Sequence, residues 1–503
     1  MIIDVHTHCP PGGGEDGFSL FRNQCRRSGV ALALVSSLGR WNAFPDAAEV
    51  RQANDEARAF ALRSEGLMQW LAYLNPQNEN WWEELERCRA GGAIGVKLWI
   101  SLKDAHGGLE NAAAVIERAA QLRLPVLIHT YQRTGPNLPG EITLEELADL
   151  AERHPAAGLI GAHAGGNWRQ GIGVLRGRAR HVCVDLSGSF PERGMVEALV
   201  RDIGAERVLF GSDAPGRSIA SQLAKVLLAD IAPQDKELIL SGNALRVFGP
   251  GLRPAPVPPP GPLRPDSQLP DLRAEHFCFC GQWPVFATPC GAPGELEHLL
   301  SVQGIERAYV GELGGIYRMD LEQANDEFLR AAAGLERVAP LAALNPRAHN
   351  WRQTIQDLKP GGAGAILHPY LHDWRLDEPR HGEFFRRCAE RGIRLWITCA
   401  FGDDRFRHCG LAARPVAKDE MVQFARTAPA NSYVFQGVTA EAMEAFLNEF
   451  PGDERFRFEL SRLTDFSGAL ERVTARHGVS RLVMGSEFPL RDIREVRWAA
   501  RRV

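Results

Sequence analysis

The sequence lacks the features that assign a chain to several large classes of protein. No apolar run approaches the ~20 residues that a membrane-spanning helix needs. No run of Lys and Arg is long enough to bind nucleic acid, and the formal net charge of -4 favours no polyanionic partner. The first residues lack the basic segment and the long apolar core of a signal peptide. We therefore expect a cytoplasmic protein with a small-molecule partner and with neither a nucleic-acid nor a membrane partner.

The composition indicates a globular protein of more than one domain. Hydrophobic residues make up 45% and charged residues 24% of the chain, as in ordinary globular proteins. A length of 503 residues exceeds what a single hydrophobic core supports. In a reducing compartment the ten cysteines are expected to be buried thiols, because disulfides are rare there.

A proline-rich segment near the middle of the chain predicts a linker. Residues 249–271 read GPGLRPAPVPPPGPLRPDSQLPD, a proline density that no helix or central strand tolerates. The segment separates two stretches of about 250 and 230 residues, each near the usual size of a (β/α)₈ barrel. We predict domains at residues 1–248 and 272–503, joined by residues 249–271.

The two halves repeat each other, which predicts an internal duplication. Four pairs of similar segments occur in the same order: Gln52–Glu56 and Gln323–Glu327, Leu71–Trp81 and Leu341–Trp351, Gly91–Leu98 and Gly361–His368, and Arg207–Pro215 and Arg481–Pro489. The common order and the nearly constant offset make chance a poor explanation.

Within each half, short apolar runs alternate with helical stretches. ALALVSSL, GVKLWI and PVLIHT have strand length, whereas LEELADLAERH has apolar residues at helical spacing. This alternation predicts an α/β fold with parallel strands. Together with the size of each half, we expect two tandem TIM-like (β/α)₈ barrels. A doubly wound open sheet fits the alternation equally well, but no glycine-rich dinucleotide fingerprint follows the first strand.

Six side chains that could bind a metal or take part in catalysis stand at the ends of predicted strands in the first half: His6, His8, Lys97, His129, His163 and Asp213. Because strand side chains alternate between faces, the two histidines of the first strand point the same way. The other four each close an apolar run, where a buried charge is costly without a partner. Imidazoles and a carboxylate that meet at one end of a barrel suit a divalent cation.

This pattern resembles the amidohydrolase superfamily, with HTH on strand one, Lys on strand four, His on strands five and six, and Asp on strand eight. The phrases IDVHTH, GVKL, HAGG and FGSD resemble its amidohydrolase-related branch, which includes hydrolases and non-oxidative decarboxylases. The resemblance covers roughly residues 1–250. It implies a hydrolase that attacks a small amide, lactone or related acyl substrate with metal-activated water. Decarboxylation of a small carboxylic acid and a non-catalytic binding or scaffold role remain the alternatives.

The resemblance also implies roles for these residues. The ligands of a first divalent ion would be His6, His8, His129 and Asp213. Zinc is our first choice of ion, although such ligands also suit manganese, iron or cobalt. Asp213 would shuttle a proton, and His163 would bind a second ion or polarise the substrate carbonyl. Lys97 would join two ions if carboxylated; the sequence allows two ions, and we favour one.

Substrate contacts are expected from the loops that follow the strands, where barrels of this kind build their sites. The candidates are Trp99, Tyr131, Arg133 and Trp168. Arg133 suits a substrate carboxylate, because a guanidinium binds that group through two parallel hydrogen bonds. A surface arginine and packed tryptophans are the alternative interpretation.

The second half has lost these ligands. In the order of the six positions above, it carries Phe277, Phe279, Leu367, Thr398, Gln436 and Glu487. A single carboxylate does not hold a cation, so we predict a degenerate, catalytically inactive pseudoenzyme barrel whose pocket is filled by aromatic rings.

The tandem arrangement suggests a pseudo-dimer within one chain, which leaves room for further homo-oligomers. Our hypothesis is that the inactive barrel covers or completes the active site of the other. A chain that ends near residue 250 tests it by thermal unfolding and activity assay. We expect this shortened chain to lose stability or activity, and full retention of both would contradict the hypothesis.

Overall fold

A computed structural model of the chain describes residues 1–10, 14–188, 190–254, 256, 261–284, 287–358, 362–407 and 413–503. These residues form two compact units. The first comprises Met1–Leu263, Phe466–Gly468 and Arg502–Val503, and the second Arg264–Asp465 and Ala469–Arg501. Throughout these described ranges, no helix has both the length and the apolar character required to cross a membrane.

The first unit is a barrel of parallel strands. Its strands are β1 Ile3–His8, β2 Leu32–Ser36, β3 Met68–Trp70, β4 Ala72–Leu74, β5 Val96–Leu98, β6 Val126–Ile128, β7 Leu159–Gly161, β8 Cys183–Asp185 and β9 Val208–Leu209. They pair in chain order as β1–β2–β3 and β4 through β9, with β3 and β4 separated only by Leu71. Val5 N donates to Phe210 O (3.0 Å) and Asp213 N to His6 O (2.8 Å), which joins the chain after β9 to β1.

Helices connect the strands of this barrel. They are α1 Glu15–Ser28, α2 Ala47–Leu62, α3 Trp81–Ala90, α4 Glu110–Gln121, α5 Leu144–Arg153, α6 Trp168–Gly177, α7 Met195–Ile203, α8 Ile219–Leu227, α9 Pro233–Glu237 and α10 Asn243–Phe248. Helix α5 begins with a capping box in which the Thr143 and Glu146 side chains bind each other's backbone N–H groups. Its apolar residues recur at helical spacing and are buried, which fixes the face that packs on the barrel.

The second unit has the same strand order. Its strands are β10 Ala274–Cys280, β11 Arg307–Glu312, β12 Val338–Pro340, β13 Ala342–Leu344, β14 Ala365–Leu367, β15 Leu395–Thr398, β16 Tyr433–Gln436, β17 Phe456–Glu459 and β18 Leu482–Val483. They pair as β10–β11–β12 and β13 through β18, all in parallel. His276 N donates to Met484 O (2.8 Å) and closes the ring. The predicted α/β barrel fold is therefore confirmed.

Helices also alternate with the strands of the second unit. They are α11 Pro293–Val302, α12 Gly314–Tyr317, α13 Leu321–Ala331, α14 Trp351–Asp357, α15 Pro369–His372, α16 Gly382–Glu390, α17 Lys418–Thr427, α18 Ala440–Glu449, α19 Ser461–Asp465, α20 Ala469–His477 and α21 Ile493–Ala500. Within residues 249–271, the described part contains two short 3₁₀ turns, Gly249–Gly251 and Asp266–Gln268, and neither an α-helix nor a strand. Residues 255 and 257–260 of that predicted linker lie outside the described residues, as does Gly361 of the repeated glycine segment.

Strand β1 divides its side chains between two environments. Ile3 and Val5 are fully buried in an apolar cluster with Leu32 and Leu34 of β2. The alternate residues of β1 carry the polar groups, and the rings of His6 and His8 lie 5.1 Å apart. The strand period of two thus places an apolar side against the core and a polar side at the candidate site.

The repeated QANDE motif performs the same structural task in both units. The Asn54 side chain donates to Tyr73 O (2.9 Å) and accepts from Tyr73 N (2.7 Å). The Asn325 side chain makes the same pair of hydrogen bonds with the backbone of Ala343, at 2.9 and 2.7 Å. Each asparagine therefore ties a helix to a barrel strand, which explains the motif without any catalytic role.

We predict that Asn54→Ala and Asn325→Ala each lower the free energy of unfolding by about 1–3 kcal/mol, because each leaves a buried N–H and a buried carbonyl without a partner. Denaturant titration of the two variants and of the wild type measures this effect. Gln52→Ala, a change at an exposed position of the same motif, serves as the control. Equal stability of Asn54→Ala and Gln52→Ala would contradict the structural role.

Candidate metal centre

Two histidines of β1 and an aspartate after β9 converge on one point. His8 Nε2 lies 3.2 Å and His6 Nε2 lies 3.9 Å from the Asp213 Oδ1 atom. Both imidazoles are buried, whereas the Asp213 side chain is 26% exposed. Ligand atoms of all three residues lie within 4.8 Å of one another, and Ser36 Oγ holds the other nitrogen of His8 at 3.0 Å. Two imidazole nitrogens and a carboxylate with an open side fit a catalytic divalent ion.

A second cluster is joined to the first through His6. Asp185, fully buried at the end of β8, binds His6 Nδ1 through Oδ2 at 2.9 Å. Its Oδ1 atom accepts from the backbone N–H groups of Ser187 (2.8 Å) and His163 (3.2 Å). His6, His163 and Asp185 also lie close enough to hold an ion. However, a carboxylate on the remote nitrogen of a ligating histidine is the usual supporting partner, so His6, His8 and Asp213 are the better candidate metal centre.

The amine of Lys97 lies against this centre. Lys97 Nζ is 2.8 Å from His6 Nε2, and the residue is 1% exposed. Burial lowers the pKa of the Lys97 amine to about 8, although the carboxylates of Asp185 and Asp213 oppose that shift. Lys97 is thus close enough to contact anything bound at His6.

His129 belongs to neither of the two clusters. Its Nδ1 atom lies 3.1 Å from His163 Nε2, and its Nε2 atom lies 2.8 Å from the carboxylate of Glu141. Arg133 binds the same carboxylate through two nitrogens at 3.2 Å each. The structure therefore pairs the predicted substrate clamp, Arg133, with a buried acid of the protein itself.

The predicted substrate residues fall into two groups. Tyr131 stacks on His129 with an interplanar angle of 6°, and the ring of Trp99 lies 5.7 Å from that of Trp41. Trp41 in turn lies 5.8 Å from His8 and is 43% exposed, so it stands at the open side of the centre. Trp168 instead donates its indole N–H to Glu192 (2.6 Å), which gives it a structural partner.

Backbone geometry at the centre is strained. Asp213 and His163 have φ values of 64° and 62°, a left-handed backbone conformation that residues other than glycine rarely adopt. A Cβ atom added at Gly188 would lie 2.6 Å from Asp213 Oδ2 and 2.7 Å from His163 Nδ1. Glycine at position 188 thus lets the backbone approach these two side chains.

Burial and nearby charges set the ionisation of the centre. Burial would raise the pKa of Asp213, but the His8 hydrogen bond and the neighbouring imidazoles hold it well below its usual range. Burial and the charge of Lys97 lower the pKa of His6 to about 4. At neutral pH the centre therefore contains a carboxylate and a neutral His6 imidazole, the forms that bind a cation.

The corresponding positions of the second unit form no such centre. Phe277 and Phe279 are fully buried with ring centroids 5.8 Å apart. Thr398 donates to the Gln436 side chain (2.9 Å), and Glu487 pairs with Arg462 (3.3 Å). Within the described part of the chain, both groups of ligands close enough to hold an ion lie in the first unit.

Sequence reasoning missed four residues that matter here: Trp41, Glu141, Asp185 and Ser187. Asp185 had a usable signal, because it closes the apolar run VCVD as the predicted residues close theirs. Glu141 and Trp41 lie in loops, where no periodic pattern marks a buried or a site-facing side chain. Their contacts depend on the path of the loop through space.

A family model described as Amidohydrolase matches residues 3–249. The solved 2,6-dihydroxybenzoate decarboxylase from Rhizobium is 18% identical, with 49% of this chain and 98% of that chain covered and a TM-score of 0.40. A dihydroxybenzoic acid decarboxylase from Polaromonas sp. JS666, solved with bound manganese and the inhibitor 2-nitroresorcinol, is 18% identical. The match covers 49% of this chain and 96% of that chain, with a TM-score of 0.39. The solved structure of an amidohydrolase II is 20% identical, with 49% of this chain and 99% of that chain covered and a TM-score of 0.38.

These structural likenesses are weak. Identities of 18–20% and TM-scores of 0.38–0.40 are too low for an activity to be transferred from any of the three structures. The curated proteins include none that matches the chain.

Asp4 provides a test of the electrostatics beneath the centre. Burial raises the pKa of Asp4 to about 7, so its folded state favours the protonated carboxyl. The stability this contributes is present below the unfolded pKa near 4 and is lost as pH rises through about 7.

We therefore predict that Asp4→Asn, which does not titrate, gains stability over the wild type as pH rises from 4 to 8. The gain is on the order of 4 kcal/mol, because each pKa unit corresponds to about 1.4 kcal/mol. Denaturant titrations of metal-free protein at pH 4, 6 and 8 measure the difference. A difference that is constant with pH would contradict the prediction.

Proposed function

We propose that residues 3–249, which belong to the amidohydrolase family, form a metal-dependent hydrolase of a small amide, lactone or related acyl substrate. The observation that carries the proposal is the convergence of His6, His8 and Asp213 at one end of the barrel. Two neutral nitrogens, an ionised carboxylate and a partly exposed opening are what such an activity needs. Zinc is our first choice of ion.

His6, His8 and Asp213 would hold the ion, with His129 and His163 as further candidates. A divalent ion bound there would supply Lewis acidity, polarising a substrate carbonyl and favouring ionisation of water near neutral pH. Asp185 and Ser36 fix the imidazoles of His6 and His8 by their remote nitrogens. This support holds both rings in place before substrate arrives.

Asp213 is the proposed proton shuttle. Its low pKa keeps the carboxylate ionised, and its partial exposure lets it reach a water molecule and a leaving group. It would accept a proton from the attacking water and donate it to the departing amine or alkoxide oxygen. His163 would assist by a hydrogen bond to the substrate carbonyl or by binding the ion.

The aromatic residues at the opening would contact the substrate. Trp41 and Trp99 form an edge-to-face pair beside His8, and Tyr131 lies next to His129. Such rings bury apolar substrate surface and exclude water from the reacting atoms.

We predict about one ion per chain in protein purified without chelator, and less than a tenth of that in His6→Ala. Lys97→Ala should keep the ion, because its amine is a neighbour of His6 rather than a ligand in a one-ion site. Elemental analysis measures this, with His106→Ala, a change of an exposed histidine, as the control. Two ions in the wild type and one in Lys97→Ala would instead indicate a two-ion centre.

Activity assays on small acyl substrates and small carboxylic acids complete the test. Hydrolysis that disappears in Asp213→Asn supports the proposal. Release of CO₂ without consumption of water would replace it with decarboxylation. Failure to bind Zn²⁺ or Mn²⁺ even after reconstitution would leave a non-catalytic binding protein as the better interpretation.

A further inference from the structure

The loop between β6 and α5 returns a carboxylate to the strand that it leaves. Thr130 and Ile142 form a parallel bridge, and Tyr131 N donates to Ile142 O (2.8 Å). Residues 131–141 therefore leave and rejoin the barrel at one point. Glu141 stands at the point of return, directly beside His129 at the end of β6.

The Glu141 carboxylate is fully buried and accepts from four donors. Oε1 lies 2.8 Å from His129 Nε2 and 3.2 Å from Arg133 Nη2. Oε2 lies 3.2 Å from Arg133 Nε and 3.0 Å from Leu138 N. A charge this deep is retained only when its hydrogen-bonding capacity is met, and here both oxygens are doubly bound.

We propose that Glu141 is a positioning residue that fixes the ring protonation of His129 and directs its Nδ1 atom into the candidate centre. The proposal rests on the proposed function in one respect, namely that His129 faces a bound ion. An ionised carboxylate only accepts hydrogen bonds, so the hydrogen of a neutral His129 ring resides on Nε2. The lone pair then resides on Nδ1, which faces His163 Nε2 at 3.1 Å.

The surroundings of His129 restrict the ring to this orientation. Tyr131 lies parallel to it with centroids 5.9 Å apart, and His163 approaches it edge-on at 5.0 Å. A flip of the ring about its Cβ–Cγ bond would present Cε1 to Glu141 and Cδ2 to His163, so both contacts would be lost. Glu141 thus plays towards His129 the part that Asp185 plays towards His6, a carboxylate on the remote nitrogen.

Arg133 does not by itself explain the buried acid. A guanidinium and a carboxylate satisfy each other without an imidazole, yet His129 makes the shortest of the four contacts to Glu141. The two partners have different roles: Arg133 compensates the charge of the Glu141 carboxylate, whereas the carboxylate orients the His129 ring.

The test uses the full chain labelled with ¹⁵N-histidine and long-range ¹H–¹⁵N spectra of the metal-free protein. We expect His129 to be an Nε2–H tautomer in the wild type and a mixture of tautomers in Glu141→Gln. The affinity for Zn²⁺, measured by chelator competition, should fall by about 10–100-fold in Glu141→Gln. Glu141→Asp should recover part of both effects.

Glu146→Gln is the matched control, because it removes one negative charge on α5 while glutamine still completes a capping box. It should leave both the tautomer and the Zn²⁺ affinity unchanged. An unchanged tautomer and affinity in Glu141→Gln, or equal losses in Glu146→Gln, would overturn the proposal. A wild type that binds neither Zn²⁺ nor Mn²⁺ would contradict the proposed function, while the metal-free spectra would still decide the role of Glu141.

Discussion

The buried carboxylate of Asp185 is the interaction on which the candidate site depends. It joins the ends of three barrel strands, because it binds the His6 ring and the backbone N–H groups of His163 and Ser187. Parallel strands all end at the same rim, so a charge placed there must find its partners on neighbouring strands. Glu459 makes the comparable contacts in the second unit, with the N–H groups of Gly437 (2.7 Å) and Ser461 (2.8 Å). In both units, therefore, a buried acid at the rim accepts hydrogen bonds from backbone N–H groups there.

Above that acid the two units differ. The first unit offers nitrogen and carboxylate ligands around an opening, and the ionised carboxylate of Asp213 suits a cation. In the second unit Phe277, Phe279 and Phe401 pack against each other, and Arg462 neutralises Glu487. In the second unit, an internal guanidinium thus pairs with the carboxylate at the position that corresponds to Asp213. This contrast explains why similar barrels can have different chemical capacities.

Much of this arrangement follows from the sequence alone. The period-two spacing of His6 and His8 places them on one face, and apolar runs that end in Lys97 and Asp213 mark where strands reach the rim. The signal fails where a contact depends on loop geometry. Glu141 lies twelve residues from its partner His129 and is brought back by a bridge that no local pattern encodes. The sequence also does not reveal which charged groups pair with each other. Nothing in a linear pattern assigns Arg133 to Glu141 rather than to a substrate.

The asparagine side chains that tie a helix to a strand in each unit have an evolutionary consequence. Asn54 and Asn325 secure their barrels through backbone contacts that involve none of the candidate ligands. A chain can therefore lose its ligands and still fold, so selection for a folded, long-lived protein does not protect His6 or Asp213 from drift. Only a benefit from the chemistry itself would preserve them, and the second unit shows that a barrel of this kind folds with phenylalanines at the positions of His6 and His8.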